Sequence, residues 1–274
     1  MSNMVTIQNP KIGVTEQGDA GYDLSWARKI YTRKVDAAIL ITKCLSRGMG
    51  RELLSLQEQG YENIIVHCGC TGRGGTVIEP GAPKYKVQLQ SLRKLIDAGF
   101  PIERCVLRID PIIPDSDGLN AAWRVLTAAQ ELFDMQKLRV RISVVDDYPH
   151  VKVRFRAAGL PEIYPGTQFQ ASAEQFSQVR KLCGMFPGIL FETCAEKQLS
   201  GPNIVARGCV SDEDLARCGI ERLGDQGTNP QNRSGCLCLR GKVELLNHRG
   251  QCKNGCLYCY WKPLRPESEP SAAM

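Results

Sequence analysis

The sequence lacks any apolar run long enough to cross a bilayer. The longest, around Ala37–Ile41, is far short of the roughly 20 residues that a spanning helix needs. Met1–Thr6 has neither the basic start nor the apolar segment of a signal peptide. These absences lead to the expectation of a cytosolic protein with no membrane partner. Excess charge is also missing: a net +6 permits an anionic partner but argues only weakly for nucleic acid.

Cysteine is what the chain has in abundance, thirteen in 274 residues. A reducing compartment disfavours disulfides, so metal or redox chemistry is the better reading. Eight of the thirteen fall between Cys194 and Cys259. Cys252, Cys256 and Cys259 are separated by three and then two residues, a spacing that wraps one face of a cubane [4Fe–4S] cluster. Three thiolates then hold three irons and leave the fourth open to bind and reduce something. The alternative is a zinc knuckle, but zinc prefers four ligands, usually from two Cys-x-x-Cys-like pairs. His248, nearby, reads as a surface residue.

Cys194, Cys209, Cys236 and Cys238 make a second set, able to ligate fully an auxiliary iron–sulfur cluster or a zinc ion. A neighbouring cluster favours iron–sulfur here, because the chain is then already committed to that assembly route. Cys218 can stand in for Cys209, and buried unliganded thiols are the remaining alternative.

From about residue 36 to 193, short β-rich runs alternate with helical periodicity. Strands are expected at 37–41, 63–67, 105–109, 138–145 and 188–192, with a last one at 242–246. Helices are expected at 51–59, 87–98 and 120–135, and after a capping box at Ser172–Gln175. This alternation implies an α/β fold, a partial parallel (β/α) TIM-like barrel whose function collects at the C-terminal strand ends. The division expected is a barrel over 1–193, a Cys-rich segment over 194–261 that completes it and carries the clusters, and a disordered Pro/Ser/Glu tail over 262–274.

Lys43, Cys68, Cys70, Asp110 and Cys194 fall at the expected strand ends. Alternate strand residues point the same way, so Cys68 and Cys70 can both face a cavity as hydrogen-atom donors to a carbon radical, or simply be small buried residues. Tyr148 is a weaker candidate for that work. Arg108 and Asp110 can orient a ligand or pair with each other. Lys137, Arg139, Arg141, Lys152, Arg154 and Arg156 concentrate basic charge around the fourth strand. Val151–Arg156 alternates charged with apolar residues, as a solvated strand face or a phosphate-binding rim does.

The cysteine loop, with Tyr258 just before its last cysteine, resembles the signature of the radical S-adenosylmethionine enzymes. The middle of the chain resembles the group that includes spore photoproduct lyase, through Ile41–Lys43, Glu79–Gly81, Leu92–Gly99 and Asp110–Pro114. In that group the cysteine loop comes first; here it comes last, which implies a circular permutant. The chain also looks like a member of an uncharacterised family with a radical-SAM-like cysteine cluster at the C-terminus. The resemblance implies S-adenosylmethionine as cofactor, Lys43 on its carboxylate, and Arg108, Asp110 and Tyr258 as further contacts. It also implies a flavodoxin or ferredoxin as electron donor. Where the group has Ser-x-Asn, this chain has Cys68, Gly69 and Cys70. By analogy a nucleic acid is one candidate substrate, with peptides and small molecules equally open. A non-catalytic iron–sulfur or zinc protein, serving electron transfer or nucleic-acid binding, is the competing reading.

Overall fold

The computed structural model describes residues 4–224, 235–248 and 251–261. The tail expected over 262–274 lies outside the described residues.

Eight parallel strands form one sheet. In chain order they are β2 (Ile12–Val14), β3 (Ala37–Thr42), β4 (Ile64–Gly69), β5 (Cys105–Ile112), β6 (Arg139–Val144), β7 (Phe191–Thr193), β8 (Ile204–Ala206) and β10 (Lys242–Glu244). Their spatial order is β10-β2-β3-β4-β5-β6-β7-β8. Thus the last strand in sequence lies ahead of β2, in register with Ile12–Val14. A separate parallel pair joins β1 (Val5–Gln8) to β9 (Ile220–Leu223). Parallel strands need both faces covered, and both are. On one face Ala38, Leu40, Val66 and Leu107 pack with Leu53 of α2 (Arg47–Glu58), Leu89 and Leu92 of α3 (Tyr85–Asp97), and Val125 of α4 (Ser116–Leu132). On the other, Ile12, Ile39, Ile65 and Val106 pack against Val210, Leu215, Cys238 and Leu239. The Cys-rich segment therefore fills the inner face and also contributes strands to the sheet edges.

The helix expected over 51–59 starts four residues earlier, because the Ser46 side chain accepts from Met49 N and caps it. Asp115 does the same for α4 by accepting from Gly118 N. The capping box at Ser172 and Gln175 is present, opening α6 (Ala173–Gly184).

One expectation fails. Val151–Arg156 is not a strand face but part of a helix, α5 (Pro149–Ala157). Proline sits in its first turn, and Val151 and Phe155, four residues apart, are the positions it buries. Val153, which strand alternation would place beside them, is exposed. Nor are Arg139 and Arg141 solvated. Both face inward and are neutralised by Glu192 of β7 and by Asp214 of α7 (Asp212–Arg217).

Candidate metal and cofactor site

The cysteine loop lies over the C-terminal ends of the strands. Its seat is apolar: Tyr258 packs with Ile78, Ile113 and Val145, and Cys256 and Leu257 lean on the same cluster. Backbone bonds fix the loop to the segment after β4, with Leu257 N donating to Ile78 O and Gly81 N donating to Asn254 O, both at 3.0 Å. The approach is so close that a Cβ on Gly81 would sit 2.0 Å from Lys253 O. On the other side Arg154 of α5 donates to Cys259 O at 2.6 Å and Trp261 O at 2.8 Å. Part of the supposed phosphate rim is thus a clamp on the cysteine loop.

Asp19, in the loop after β2, connects the pieces. Its Oδ1 accepts from Thr42 Oγ1 at 2.6 Å, and its Oδ2 from Lys43 N at 2.7 Å and Asn254 Nδ2 at 2.6 Å. Asn254 also donates to Cys252 Sγ at 3.4 Å.

The Lys43 ammonium donates to Glu79 Oε1 at 3.1 Å and to Asp110 O at 3.2 Å, and lies 5.3 Å from the centre of the Tyr258 ring. Burial works against its charge, but Glu79 and the Cys256 sulfur raise its pKa above the ordinary lysine value. Burial pushes the Cys256 thiol up to about 12, and Lys43 pulls the other way. Cys252 is raised by burial as well, and Cys259 adds to the shift in both thiols. The three sulfurs are not among the thiols packed within 4.8 Å of one another; among the described residues that grouping is Cys194, Cys236 and Cys238.

Behind Lys43, Arg108 pairs with Asp110, which also accepts from Ser143 Oγ. Burial opposes ionisation of Asp110, yet Arg108 and Ser143 hold it well below the usual carboxylate range. His67, fully buried between Arg108 and Arg141 at 3.4 Å from each, is kept neutral by burial and by those charges.

Not every expected site residue meets here. Cys68 packs in the helix-side core, because His67 and Gly69 take the inward positions on β4. Cys70 is also buried, its Sγ 3.9 Å from Tyr85 O, and burial and Glu79 push it up to about 12. Tyr148 is engaged by the rings of His150 at 5.5 Å and Phe169 at 4.9 Å. Asp19, Glu79 and Asn254 had no assigned role. Asn254, inside the cysteine motif, and Glu79, which opens the Glu79–Gly81 piece of the resemblance, carried local hints of one; Asp19 carried none.

The second set does assemble. Cys194 Sγ lies 3.9 Å from Cys238 Sγ, and Cys194, Cys236 and Cys238 group within 4.8 Å. Cys209 packs with them against the same inner cluster. Cys218, the alternative ligand, instead packs in the inner core with Val210 and Ile220. Among the described residues no helix is long and apolar enough to cross a membrane.

No curated protein matches the sequence. Solved structures that resemble it include triosephosphate isomerase from Bartonella henselae, at 12% identity and TM-score 0.29, covering 77% of this chain and 98% of that one. KGPDC from Streptococcus mutans is another, at 15% identity and TM-score 0.25, covering 77% and 94%. Likenesses this slight carry no argument. A family model does match, over residues 22–261, and it is the uncharacterised family that the C-terminal cysteine loop suggested. The chain belongs to the family described as Domain of unknown function (DUF1848).

Proposed function

We propose that this protein is a radical S-adenosylmethionine enzyme, with Cys252, Cys256 and Cys259 as ligands of an open-site [4Fe–4S] cluster. The observation that carries the reading is the docking of the cysteine loop on the strand ends, with Lys43 bonded to Glu79 and facing the Tyr258 ring of the loop. The donor set suits the cluster: three thiols stand on one docked loop without the close packing of the second set, and an amide donates to one sulfur. Two buried atoms at the same place, Tyr258 Oη and Asn254 Oδ1, have no hydrogen-bond partner, as expected of groups awaiting a ligand.

When bound and reduced, the cluster and S-adenosylmethionine together supply a 5′-deoxyadenosyl radical that abstracts hydrogen from an unactivated carbon. The protein's share is placement. Lys43 has three N–H donors; Glu79 and the Asp110 carbonyl use two, leaving one for a carboxylate. Glu79, itself fixed by Thr71 Oγ1 at 2.7 Å, keeps the ammonium charged and aimed. The Arg108–Asp110 pair supports the floor of the site, and the Ile78, Ile113, Val145 shelf excludes water from one side.

The sheet order supports a permutation, since moving the C-terminal segment ahead of β2 would make spatial order and sequence order agree. The candidate substrates are a nucleic acid, a peptide or a small molecule, and a cytoplasmic flavodoxin or ferredoxin would deliver the electron. The test is anaerobic reconstitution, reduction and addition of S-adenosylmethionine. The expected result is 5′-deoxyadenosine from the wild type and none from Cys256→Ala. A correctly loaded wild-type cluster that yields no product would favour a non-catalytic iron–sulfur protein.

A further inference from the structure

The second cysteine set can be judged by sulfur spacing, which depends on how many metal ions the thiolates share. Four thiolates around one ion, each about 2.3 Å from it, stand about 3.8 Å from one another. Around a cubane each thiolate occupies its own iron, so the sulfurs stand roughly 6 Å apart. Cys194 and Cys238 are 3.9 Å apart, and Cys236 lies within 4.8 Å of both. Cys209 packs against the same inner cluster as Cys194, Cys236 and Cys238, just outside the 4.8 Å grouping of the other three. A cage this small has room for a single ion.

We propose that Cys194, Cys209, Cys236 and Cys238 bind one zinc ion in a closed tetrathiolate site. An all-sulfur tetrahedral set selects zinc or iron, and four protein ligands leave no position for a substrate. The site is structural. Its ligands come from three stretches of chain: Cys194 leaves β7, Cys209 follows β8, and Cys236 and Cys238 precede β10. Strands β8 and β10 are the two edges of the sheet among the described residues. Open edges are a liability, and a metal cross-link between them closes the seam without a strand pair. The backbones are already laid together for it, with Leu239 N donating to Val210 O at 2.9 Å. A Cβ on Gly208 would sit 2.4 Å from Leu237 O, so only glycine permits that approach. Arg141 donates to Cys209 O at 3.1 Å. This assignment takes zinc where the sequence reading favoured iron–sulfur at these four residues, and it does not depend on the radical reading of the cysteine loop.

The test is metal and sulfide content of the full chain. One zinc per chain is expected in the wild type, retained when Cys252, Cys256 and Cys259 are all replaced by alanine. It should fall at least about tenfold in Cys209→Ser and Cys238→Ser. Cobalt exchange into the wild type, which needs no folded variant, should give the visible bands of a four-sulfur tetrahedral ion. Iron with acid-labile sulfide in the triple variant would overturn the proposal. So would a single iron without sulfide, an octahedral cobalt spectrum, or no bound metal at all.

Discussion

The carboxylate of Asp19 and the side-chain amide of Asn254, 235 residues apart in sequence, meet at 2.6 Å. The same carboxylate holds the end of β3 through Thr42 and Lys43, so one group sets the height of the cysteine loop above the lysine. Replacing Asp19 by alanine strands a buried amide and a buried hydroxyl, at about 1–3 kcal/mol for each unpaired group. Asp19→Ala is therefore expected to lower the melting temperature and to retain less iron after reconstitution. Asp19→Asn, which keeps one acceptor, should fall between it and the wild type. Iron content equal to the wild type in the alanine variant would remove Asp19 from this role.

Gly81 tests the same docking from the opposite side. A methyl group there meets backbone, Lys253 O at 2.0 Å and Asn254 Cα at 2.9 Å, so the cysteine loop must lift. Such overpacking costs about 1–3 kcal/mol. Gly81→Ala should fold but lose cluster absorbance faster under chelator than the wild type. Gly99→Ala, a strained position where a Cβ would meet nothing within 4 Å, is the control for general destabilisation. Equal decay in the two variants would contradict a docked loop.

Lys43 is expected to act on the ligand rather than on the metal. A charge-assisted hydrogen bond contributes about 1.5–3 kcal/mol, equivalent to roughly 10–100-fold in affinity. Lys43→Ala should weaken S-adenosylmethionine binding by that factor while cluster absorbance persists. The variant also leaves Glu79 buried without its cation, so Lys43→Met with Glu79→Gln separates lost binding from lost stability. Unchanged affinity in both would mean that the third donor of Lys43 serves no ligand.

Where the signal was local, the sequence was readable. The apolar stripe of α4, the capping box of α6 and the runs of β3 to β6 each rest on neighbours a few residues apart. Strand β2 escaped notice because three residues, Ile12–Val14, carry no period, and pairing with β3 and β10 is what makes them a strand. Helix α5 was misread because its charges fall at every second position, and only the burial of Val151 and Phe155 decides between periods of two and 3.6. The cysteines announced both sets by spacing, and the fold brings Cys194, Cys236 and Cys238 within 4.8 Å of one another. Asp19 and Glu79 could not be found by spacing, since each becomes significant only through a partner that the fold brings to it.

Glu192 holds the inner face together. Fully buried, it accepts from Arg139 and Arg141 and pairs with Arg207, while Asp214 also bonds Arg139 and Glu213 lies 3.9 Å from Arg207. Burial opposes its charge, but these cations lower its pKa to about 2. A depressed carboxylate stabilises the fold above its unfolded pKa and loses that contribution only as pH falls toward 2. At neutral pH the contribution is complete. Glu192→Gln should cost about 3–5 kcal/mol, because buried Arg141 then loses its carboxylate and buried Arg139 keeps only Asp214. A urea midpoint within error of the wild type would show that the arginines are not held by Glu192.

Glu244 titrates in the opposite sense. Burial pushes it up to about 7 from 4.5, even though its carboxylate accepts from the backbone N–H groups of Glu16, Gln17 and Leu246. The folded state thus binds this proton more tightly than the unfolded chain does. Stability from Glu244 is complete below pH 4.5 and drains away as pH rises through about 7. Glu244→Gln cannot ionise and also turns an N–H toward one of those donors, so it should be less stable than the wild type throughout. The informative quantity is the difference in melting temperature between the two proteins from pH 5.5 to 8.5. It should be largest at the acid end and shrink toward the alkaline end. A difference that widens with pH would mean that the three N–H bonds favour the charged form more than burial disfavours it.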